Sequence, residues 1–481
     1  MAYPYQLSFL VQLSTPGIIF RIAKIVAGLV EVQGCDINQK GIMGNTPLGW
    51  AARNGREEEV KMLLAQDDID LNKGDQEYRT PLWWAAFSGH QGVVEMLLGR
   101  GGTDPNKPDL YGRTPLWVAV SDGYEGVVKM LLARDDIDPN KGDQEHRTPL
   151  WWAARNGDQG IVKMLLARDD TDPNWSADYF GSPLGIAASN GHEEVVKMLL
   201  ERDDTDPNWP SGEDQTPLWW AARNGHQGVV KILLGRDDTD PDKPDRDGVT
   251  PLGIAASIGH EGVMKILLGR DDVNPNKLDD HNKTPLWWAA FSGKEGVVKV
   301  LLGRDDISTN TPGGYGLMPL AMAAYQGHEG VVKLLLERDG ANRGGPGGVG
   351  KTPLWLAAQN GEKELVKMLL GQNISPDSPD EYGRTPLSIA AENGHEEVVK
   401  LLLGRGDINP DKPDKDGQIP LWWAARNGHE EVVRLLLEQK EVSPNKPNSY
   451  GQTPLSIAAR YDHGRVIALL QPPTDATYSA T

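Results

Sequence analysis

The string TPLWWAARNG occupies residues 148–157 and recurs at 216–225, and TPLWWAAFSG occupies 80–89 and 284–293. The Pro-Leu pair inside these strings occurs thirteen times, and eleven of the twelve intervals between its prolines are 34 residues long. Self-similarity at a fixed period indicates a repeat array rather than a series of globular domains. The prolines that begin the pairs are Pro47, Pro81, Pro115, Pro149, Pro183, Pro217, Pro251, Pro285, Pro319, Pro353, Pro386, Pro420 and Pro454.

Each repeat carries the pattern of two short helices followed by a loop. In the second repeat, Thr80 is a natural N-cap and Pro81 suits the first helical position. Gly89 ends the first helix, and the second helix precedes the polar stretch GGTDPNKPDLYG at 101–112. The apolar positions at helical spacing are Leu82, Ala85, Ala86, Val93, Val94, Leu97 and Leu98. Two such helices cannot bury their apolar faces alone, so neighbouring repeats must stack into one continuous core.

The chain is acidic: its 481 residues include 68 acidic and 49 basic side chains, which gives a formal net charge of −19. Such a surface repels phosphate backbones and anionic lipids, which disfavours a nucleic-acid or membrane partner. The single cysteine, Cys35, excludes an intramolecular disulfide. No apolar run approaches the roughly 20 residues of a spanning helix, and no Lys or Arg precedes Arg21 as a signal peptide requires. We expect an intracellular protein, in the cytoplasm or the nucleus.

The pattern of the repeats resembles the ankyrin repeat, whose signature is Thr-Pro-Leu-His-x-Ala-Ala, then Gly-His, Val-Val and Leu-Leu. The resemblance covers residues 40–471 in thirteen repeats of 33–34 residues. It implies an all-α solenoid of helix-turn-helix-loop units stacked into a curved superhelix. Trp, Gly, Ser or Ala replaces the signature His, and the loop is lengthened, as in the long arrays of filamentous fungi. We expect residues 1–39 to form a degenerate capping repeat and residues 472–481 a disordered tail.

The residue after each Pro-Leu pair forms a column in which large and small side chains alternate. Every even-numbered repeat has Trp there, and every odd-numbered repeat except the third has Gly, Ala or Ser. First helices of neighbouring repeats should lie about 8–10 Å apart, too close for consecutive Trp rings without a small partner. The first Trp is therefore predicted to be a packing residue. This first column is Gly49, Trp83, Trp117, Trp151, Gly185, Trp219, Gly253, Trp287, Ala321, Trp355, Ser388, Trp422 and Ser456.

The next residue forms a second column that is apolar in every repeat. At about 100° per residue it lies well away from the Leu-Ala-Ala face of the helix. Two interpretations stay open: a half-buried ring under the hairpin loop, or an aromatic-lined groove that grips a hydrophobic ligand or an extended peptide. The Trp residues of this column are Trp50, Trp84, Trp152, Trp220, Trp288 and Trp423.

The two residues after each Ala-Ala pair vary where the surrounding frame does not. Phe87-Ser88 and Arg155-Asn156, for example, follow nearly identical strings. In the ankyrin family these positions face the concave surface and usually contact partners, although unselected drift at exposed sites would also produce such variation. Aromatic and Arg side chains dominate binding energy at interfaces. The expected partner-binding residues are therefore Phe87, Arg155, Arg223, Phe291, Tyr325 and Arg426.

Several motifs suggest chemistry that their context does not support. GPGGVGKT at 345–352 satisfies the P-loop formula, but a helix end and a polar loop precede it where a strand is needed. Zinc ligands must converge, whereas repeats about 10 Å apart keep the recurrent His residues separate, so we expect these to hold the turn by hydrogen bonds. They are His90, His192, His226, His260, His328, His395, His429 and His463. The Asp-rich loops lack the full set of calcium ligands. No catalytic residue, metal ligand or cofactor is predicted.

Two functions from different classes follow. The first is a non-enzymatic interaction module, an adaptor, inhibitor or regulator that binds a protein with basic or hydrophobic features on its concave face. The second is an atypical, cyclase- or isomerase-like enzyme that holds an apolar small molecule, such as a terpenoid or polyketide, in a Trp-lined groove, because aromatic faces stabilise cations. A third possibility is that the chain is one piece of a larger sensor.

Overall fold

The computed structural model describes residues 36–41, 44–175, 177, 181–338, 350–372 and 374–471. These residues form 26 α-helices, one short 3-10 helix at Gly314–Gly316 and no strand, only an isolated bridge between Ala177 and Gly181. The predicted all-α fold is confirmed. Nearly all of the expected capping repeat at 1–39, including Cys35, lies outside the described residues, as does the expected tail at 472–481.

The helices follow one another in pairs, one pair per repeat. Their bounds are α1 Pro47–Arg53, α2 Glu57–Leu64, α3 Pro81–Phe87, α4 Gln91–Leu98, α5 Pro115–Ser121, α6 Glu125–Leu132, α7 Pro149–Asn156, α8 Gln159–Leu166, α9 Pro183–Asn190, α10 Glu193–Leu200, α11 Pro217–Asn224, α12 Gln227–Leu233, α13 Pro251–Ile258, α14 Glu261–Leu267, α15 Pro285–Phe291, α16 Glu295–Leu302, α17 Pro319–Tyr325, α18 Glu329–Glu337, α19 Pro353–Asn360, α20 Lys363–Leu370, α21 Pro386–Asn393, α22 Glu396–Leu403, α23 Pro420–Asn427, α24 Glu430–Leu437, α25 Pro454–Arg460 and α26 Gly464–Leu470.

The chain divides into two compact bodies, with the boundary between Arg246 and Asp247. The first body contains α1–α12 and the second contains α13–α26. Within each body, a first helix packs on the second helix of its own repeat and on the first helices of neighbouring repeats, and the second helices form a layer in the same way. The Leu-Ala-Ala face and the Val-Val-Leu stripe meet between these two layers and form the core.

The first helices begin with the N-cap that the sequence predicts. Thr148 is extended, and its side chain accepts a hydrogen bond from the Trp151 backbone N–H while proline occupies the first turn. Gly157 ends the helix in the left-handed conformation at φ 76°. A Cβ at position 157 would lie 2.8 Å from the ring of His192 in the next repeat. The close approach of this ring is therefore a second reason for glycine at position 157.

The recurrent histidines connect neighbouring repeats. His192 Nε2 donates to the backbone oxygen of Arg155 at 3.0 Å, and His429 Nε2 donates to that of Glu392 at 2.9 Å. Each acceptor is the residue after Ala-Ala in the first helix of the preceding repeat. The prediction that these histidines hold the turn by hydrogen bonds is confirmed, and the structure adds that each bond spans two repeats.

Candidate protein-binding face

The first Trp of each pair is buried. All seven tryptophans of the first column are at most 5% exposed, which confirms the prediction that they are packing residues. Trp117 Nε1 donates to the backbone oxygen of Arg147 at 2.8 Å, and Trp287 Nε1 donates to that of Leu317 at 2.9 Å. Because these acceptors lie in the loop just before the next repeat, the ring fills the core and also fastens the following loop.

The second Trp of each pair lies nearer the surface. Trp84 and Trp423 are buried, and Trp50, Trp152, Trp220 and Trp288 are half-buried. The indole N–H groups of Trp84, Trp288 and Trp423 donate to a loop aspartate nine residues earlier, at 3.3, 2.9 and 3.0 Å respectively. The structure therefore favours the interpretation of a half-buried ring held under the hairpin loop.

The loop aspartates organise the hairpin from a buried position. Asp143 Oδ1 accepts from the backbone N–H groups of Glu145 and Arg147, and its Oδ2 forms an ion pair with Arg147 at 2.7 Å. In the twelfth repeat, Gln418 stands at the Arg position. Burial there raises the pKa of Asp414, which keeps backbone hydrogen bonds and that from Trp423.

The first residue after Ala-Ala stacks on the Trp pair of its own repeat. Phe87 stacks on Trp83 with ring centroids 5.2 Å apart and an interplanar angle of 15°, and Phe291 stacks on Trp287 in the same way. The guanidinium of Arg155 lies 4.7 Å from the centroid of Trp152. The corresponding distances are 5.3 Å for both Arg223 on Trp220 and Arg426 on Trp423.

These side chains are nevertheless accessible. Phe87, Phe291 and Tyr325 are 40%, 38% and 42% exposed, Arg155 and Arg223 are exposed, and Arg426 is half-buried. Tyr325 belongs to a repeat with Ala321 and Met322 in place of the Trp pair. We call these six residues, Phe87, Arg155, Arg223, Phe291, Tyr325 and Arg426, the stacked row. The structure gives them a common position at the end of the first helix, with one planar face resting on tryptophan in all except Tyr325.

The second residue after Ala-Ala has a structural role where it is Asn. Asn190 Nδ2 donates to the Arg155 backbone oxygen at 2.9 Å, the same oxygen that accepts from His192. Asn360 and Asn427 make the equivalent bonds to the preceding repeat. These asparagines therefore have a structural role, because their amides connect neighbouring repeats.

The arginines of the stacked row provide cations in an acidic protein. Arg147 pairs with Asp143 and Glu145, but Arg155 and Arg426 form no ion pair among the described residues and contact aromatic rings instead. Guanidinium groups are weakly hydrated and stack well on aromatic faces, which leaves their N–H edges directed to solvent.

A cleft opens on this face in the first body. It has a volume of about 280 Å³ and is lined by Arg147, Trp151, Arg155, Ile186, Ser189, Asn190 and Trp220. These residues come from the fourth, fifth and sixth repeats. Ile186, which lines the cleft, stands where both neighbouring repeats have the second Trp of the pair, so its smaller side chain leaves space between Trp151 and Trp220.

The described residues provide no support for nucleotide or metal chemistry. Residues 345–349 of the P-loop-like string lie outside them, Thr352 is the N-cap of α19, and Lys351 Nζ lies 4.6 Å from the centroid of Trp355. No group of three or more His, Cys, Asp or Glu in the described part of the chain could hold a metal ion. None of the helices described is long and apolar enough to cross a membrane.

The paired helices, with hydrogen bonds between neighbouring repeats, define an all-α repeat protein. Aromatic and Arg side chains lie at the ends of its first helices. The family model of ankyrin repeats (three copies) matches residues 21–109, 101–177, 170–245, 237–312, 320–414 and 406–479. The chain belongs to the ankyrin-repeat family, whose repeats are general protein–protein interaction modules. A search of curated proteins found no match.

Proposed function

We propose that the protein is a non-enzymatic interaction module that acts inside the cell as an adaptor, inhibitor or regulator and binds its partner through the stacked row. The observation that carries this proposal is that exposed Phe and Arg side chains stack on tryptophan. Ordering a freely rotating side chain at an interface costs about 0.5–1.5 kcal/mol in rotamer entropy. A side chain that is already stacked in the unbound protein loses little of this entropy on binding.

The alternative of an enzyme acting on a terpenoid or polyketide has no comparable observation. The cleft between the fourth and sixth repeats is open, since the exposed Arg155 and Asn190 line it. Its volume of about 280 Å³ lies at the lower end of the sites that enclose drug-sized ligands, about 300–1,000 Å³. Two guanidinium groups in its wall do not suit an apolar ligand or a developing cation.

The test removes the stacked row and keeps the frame. Alanine at all six positions should weaken binding to the true partner. The best single residues should each account for at least a tenfold loss of affinity, about 1.4 kcal/mol. Each lost stack should also cost roughly 0.5–1.5 kcal/mol of stability, so the melting curve of the variant must be recorded. Wild-type and variant chains are immobilised separately and exposed to the same cell extract. Proteins retained only by the wild type are then purified, and their affinities for both chains are measured by calorimetry.

A variant with matched charge controls for non-specific effects. It carries alanine at six exposed positions of the second helices, three of them cationic as in the stacked row: Gln91, Gln159, Lys163, Gln227, Lys231 and Arg434. This control should retain wild-type affinity. If the control loses affinity and the stacked-row variant does not, the second helices form the binding surface and the proposal is wrong.

A further inference from the structure

The cleft of the fourth to sixth repeats differs from the rest of the face in its chemistry. Trp151, Ile186 and Trp220 provide apolar walls, and Arg147 and Arg155 provide two cations. No acidic side chain of the described residues lines the cleft. Since the whole chain carries a net charge of −19, an opening lined by cations and no acids stands out from its surroundings.

One of the two cations is available for a new partner. Arg147 is already neutralised by Asp143 and Glu145, at 2.7 and 2.8 Å. Arg155 lies 4.7 Å from the centroid of Trp152 and 5.8 Å from that of Trp151 and has no carboxylate partner among the described residues. Its planar fork of N–H donors fits a carboxylate in a bidentate arrangement.

The aromatic wall contributes a further unused donor. The indole nitrogen of Trp220 is buried and has no hydrogen-bond partner among the residues that the structure describes, unlike those of Trp84, Trp288 and Trp423. Ser211 stands where those loops have an aspartate, and its hydroxyl donates to Gln215 Oε1. This indole N–H is therefore unsatisfied within the described part of the chain, which is unusual for a buried polar group.

The dimensions of the cleft suit amino-acid side chains. The volume of about 280 Å³ is close to that of the smallest sites that enclose drug-sized ligands, about 300 Å³, and so gives room for a small number of side chains. Because its rim is open, a chain could enter at one side and leave at the other. An apolar side chain would cover Trp151, Ile186 and Trp220 while a neighbouring carboxylate reached Arg155.

We propose that this cleft binds a glutamate or aspartate side chain, together with an adjacent apolar side chain, from an extended acidic segment of a protein partner. This inference rests on the proposed function and names the chemistry of the partner. It replaces the expectation of a basic partner, which followed from net charge alone. The cleft carries positive charge, whereas the whole molecule carries negative charge. When a partner is in contact, the nearest charges dominate because salt screens the others beyond about 8–10 Å.

The test uses the full chain and a displayed library of random dodecapeptides. Selection on the wild-type protein should enrich peptides with Asp or Glu beside Leu, Ile or Phe. Arg155→Gln removes the charge and keeps a polar side chain of similar length, and it should weaken the selected peptides at least tenfold in fluorescence anisotropy. Arg434→Gln makes the same change at an exposed position on the second helix of the twelfth repeat, outside the stacked row, and should leave their affinity unchanged.

A second pair of variants tests occupation of the cleft itself. Ser189→Glu places a carboxylate in the cleft wall, where it should pair with Arg155 and block the selected peptides. Ser257→Glu makes the same change at the equivalent position of the seventh repeat and should leave binding intact. Circular dichroism melting of all four variants separates lost binding from lost folding.

The possible outcomes distinguish the two proposals. Selection of basic or purely apolar peptides that bind Arg155→Gln normally, yet fail to bind the stacked-row variant, overturns the acidic-segment proposal and leaves the proposed function standing. Peptides that bind the stacked-row variant and the wild type equally overturn both. If free glutamate or acetate competes as strongly as a whole peptide, the cleft is a small-carboxylate site, and the commitment to a protein segment is wrong.

Discussion

A recurrent asparagine illustrates how one atom can affect the stability of the array. Asn106 donates through Nδ2 to the backbone oxygen of Asp136 and accepts through Oδ1 from the backbone N–H of Asp138, so it bridges two repeats. Asp377 occupies the same position in the tenth repeat, and one oxygen accepts from the Asn409 N–H at 2.9 Å. Its other oxygen, Oδ1, is buried without a partner among the described residues, and burial raises the pKa of Asp377.

We therefore expect Asp377→Asn to stabilise the protein at neutral pH by about 1 kcal/mol, because the amide restores the missing donor. The raised pKa means that the folded state binds the proton more tightly than the unfolded state. Protonation of wild-type Asp377 therefore adds stability as the pH falls, and the difference between wild type and variant should shrink from pH 7 to pH 4. Urea denaturation at both pH values measures it.

The reverse change provides the control. Asn140 bridges its neighbours in the same way as Asn106, so Asn140→Asp should lower the free energy of unfolding at pH 7. Equal stability of Asp377→Asn and wild type at pH 7 would show that the buried oxygen of Asp377 costs nothing.

The small residues of the first column can be examined at Gly185, between the buried Trp151 and Trp219. A Cβ added there would meet only Ser182 Oγ among the described residues, at 3.6 Å, which is ordinary contact. Gly185→Ala should therefore raise stability by about 1 kcal/mol through helix propensity. Gly185→Trp should lower it by about 1–3 kcal/mol, because a third ring overfills the layer. Thermal melting of both variants tests this, and an unchanged melting temperature for Gly185→Trp would contradict the packing interpretation.

At the scale of the helix, an arginine connects the end of a second helix to the preceding repeat. Arg202 holds Asp204 through Nε and Nη2 and donates through Nη1 to the backbone oxygens of Leu166 and Arg168. A cation at a helix C-terminus is favourable because it interacts with the unpaired carbonyl groups. The hydrogen bond from Arg202 lowers the pKa of Asp204.

Arg202→Gln should lower the free energy of unfolding by about 1 kcal/mol at neutral pH. A lowered pKa means that the contribution of Asp204 is complete above the pKa of the unfolded state and is lost as the pH falls through that of the folded state. The difference between wild type and variant should therefore diminish towards pH 3 in a series of urea titrations. Arg100→Gln is the matched control: Gly102 stands at the aspartate position there, so this variant should behave as wild type at every pH.

At the scale of the whole molecule, the net charge of −19 should slow the approach of an acidic partner. Several of the long loops contain two adjacent aspartates with different roles. Asp136, Asp170 and Asp204 hold an arginine, whereas Asp135, Asp169 and Asp203 are exposed. Asp136 forms an ion pair with Arg134, whereas Asp135 forms no ion pair within the part of the chain that the structure describes.

Neutralising Asp135, Asp169 and Asp203 together to Asn should increase the association rate of an acidic peptide, with little change in its dissociation rate or in the stability of the protein. Stopped-flow fluorescence at low and physiological salt measures both rates, and the gain should shrink as salt screens the charges. An association rate that does not increase would show that these loop charges do not influence the approach of the peptide.

The repeat length, the capped start of the first helix, the buried first Trp and the hydrogen-bonding role of the turn histidines could be predicted from the sequence. They depend on local helix caps, on helical periodicity and on a pattern that recurs at one spacing. The same local signals are therefore present in every repeat. The small residue at Gly185 was visible too, as part of the alternation of large and small residues.

Only the tertiary structure showed which hydrogen-bond partners and charged neighbours the side chains have. Asn190 and Asn427 became structural because their amides reach the preceding repeat, and Arg155 remained without an acid because no described carboxylate lies near it. The cleft combines side chains from three repeats, with Arg147 and Trp220 separated by 73 residues of sequence. Hydrogen-bond partners and electrostatic neighbours depend on distances between repeats, which a one-dimensional pattern does not contain.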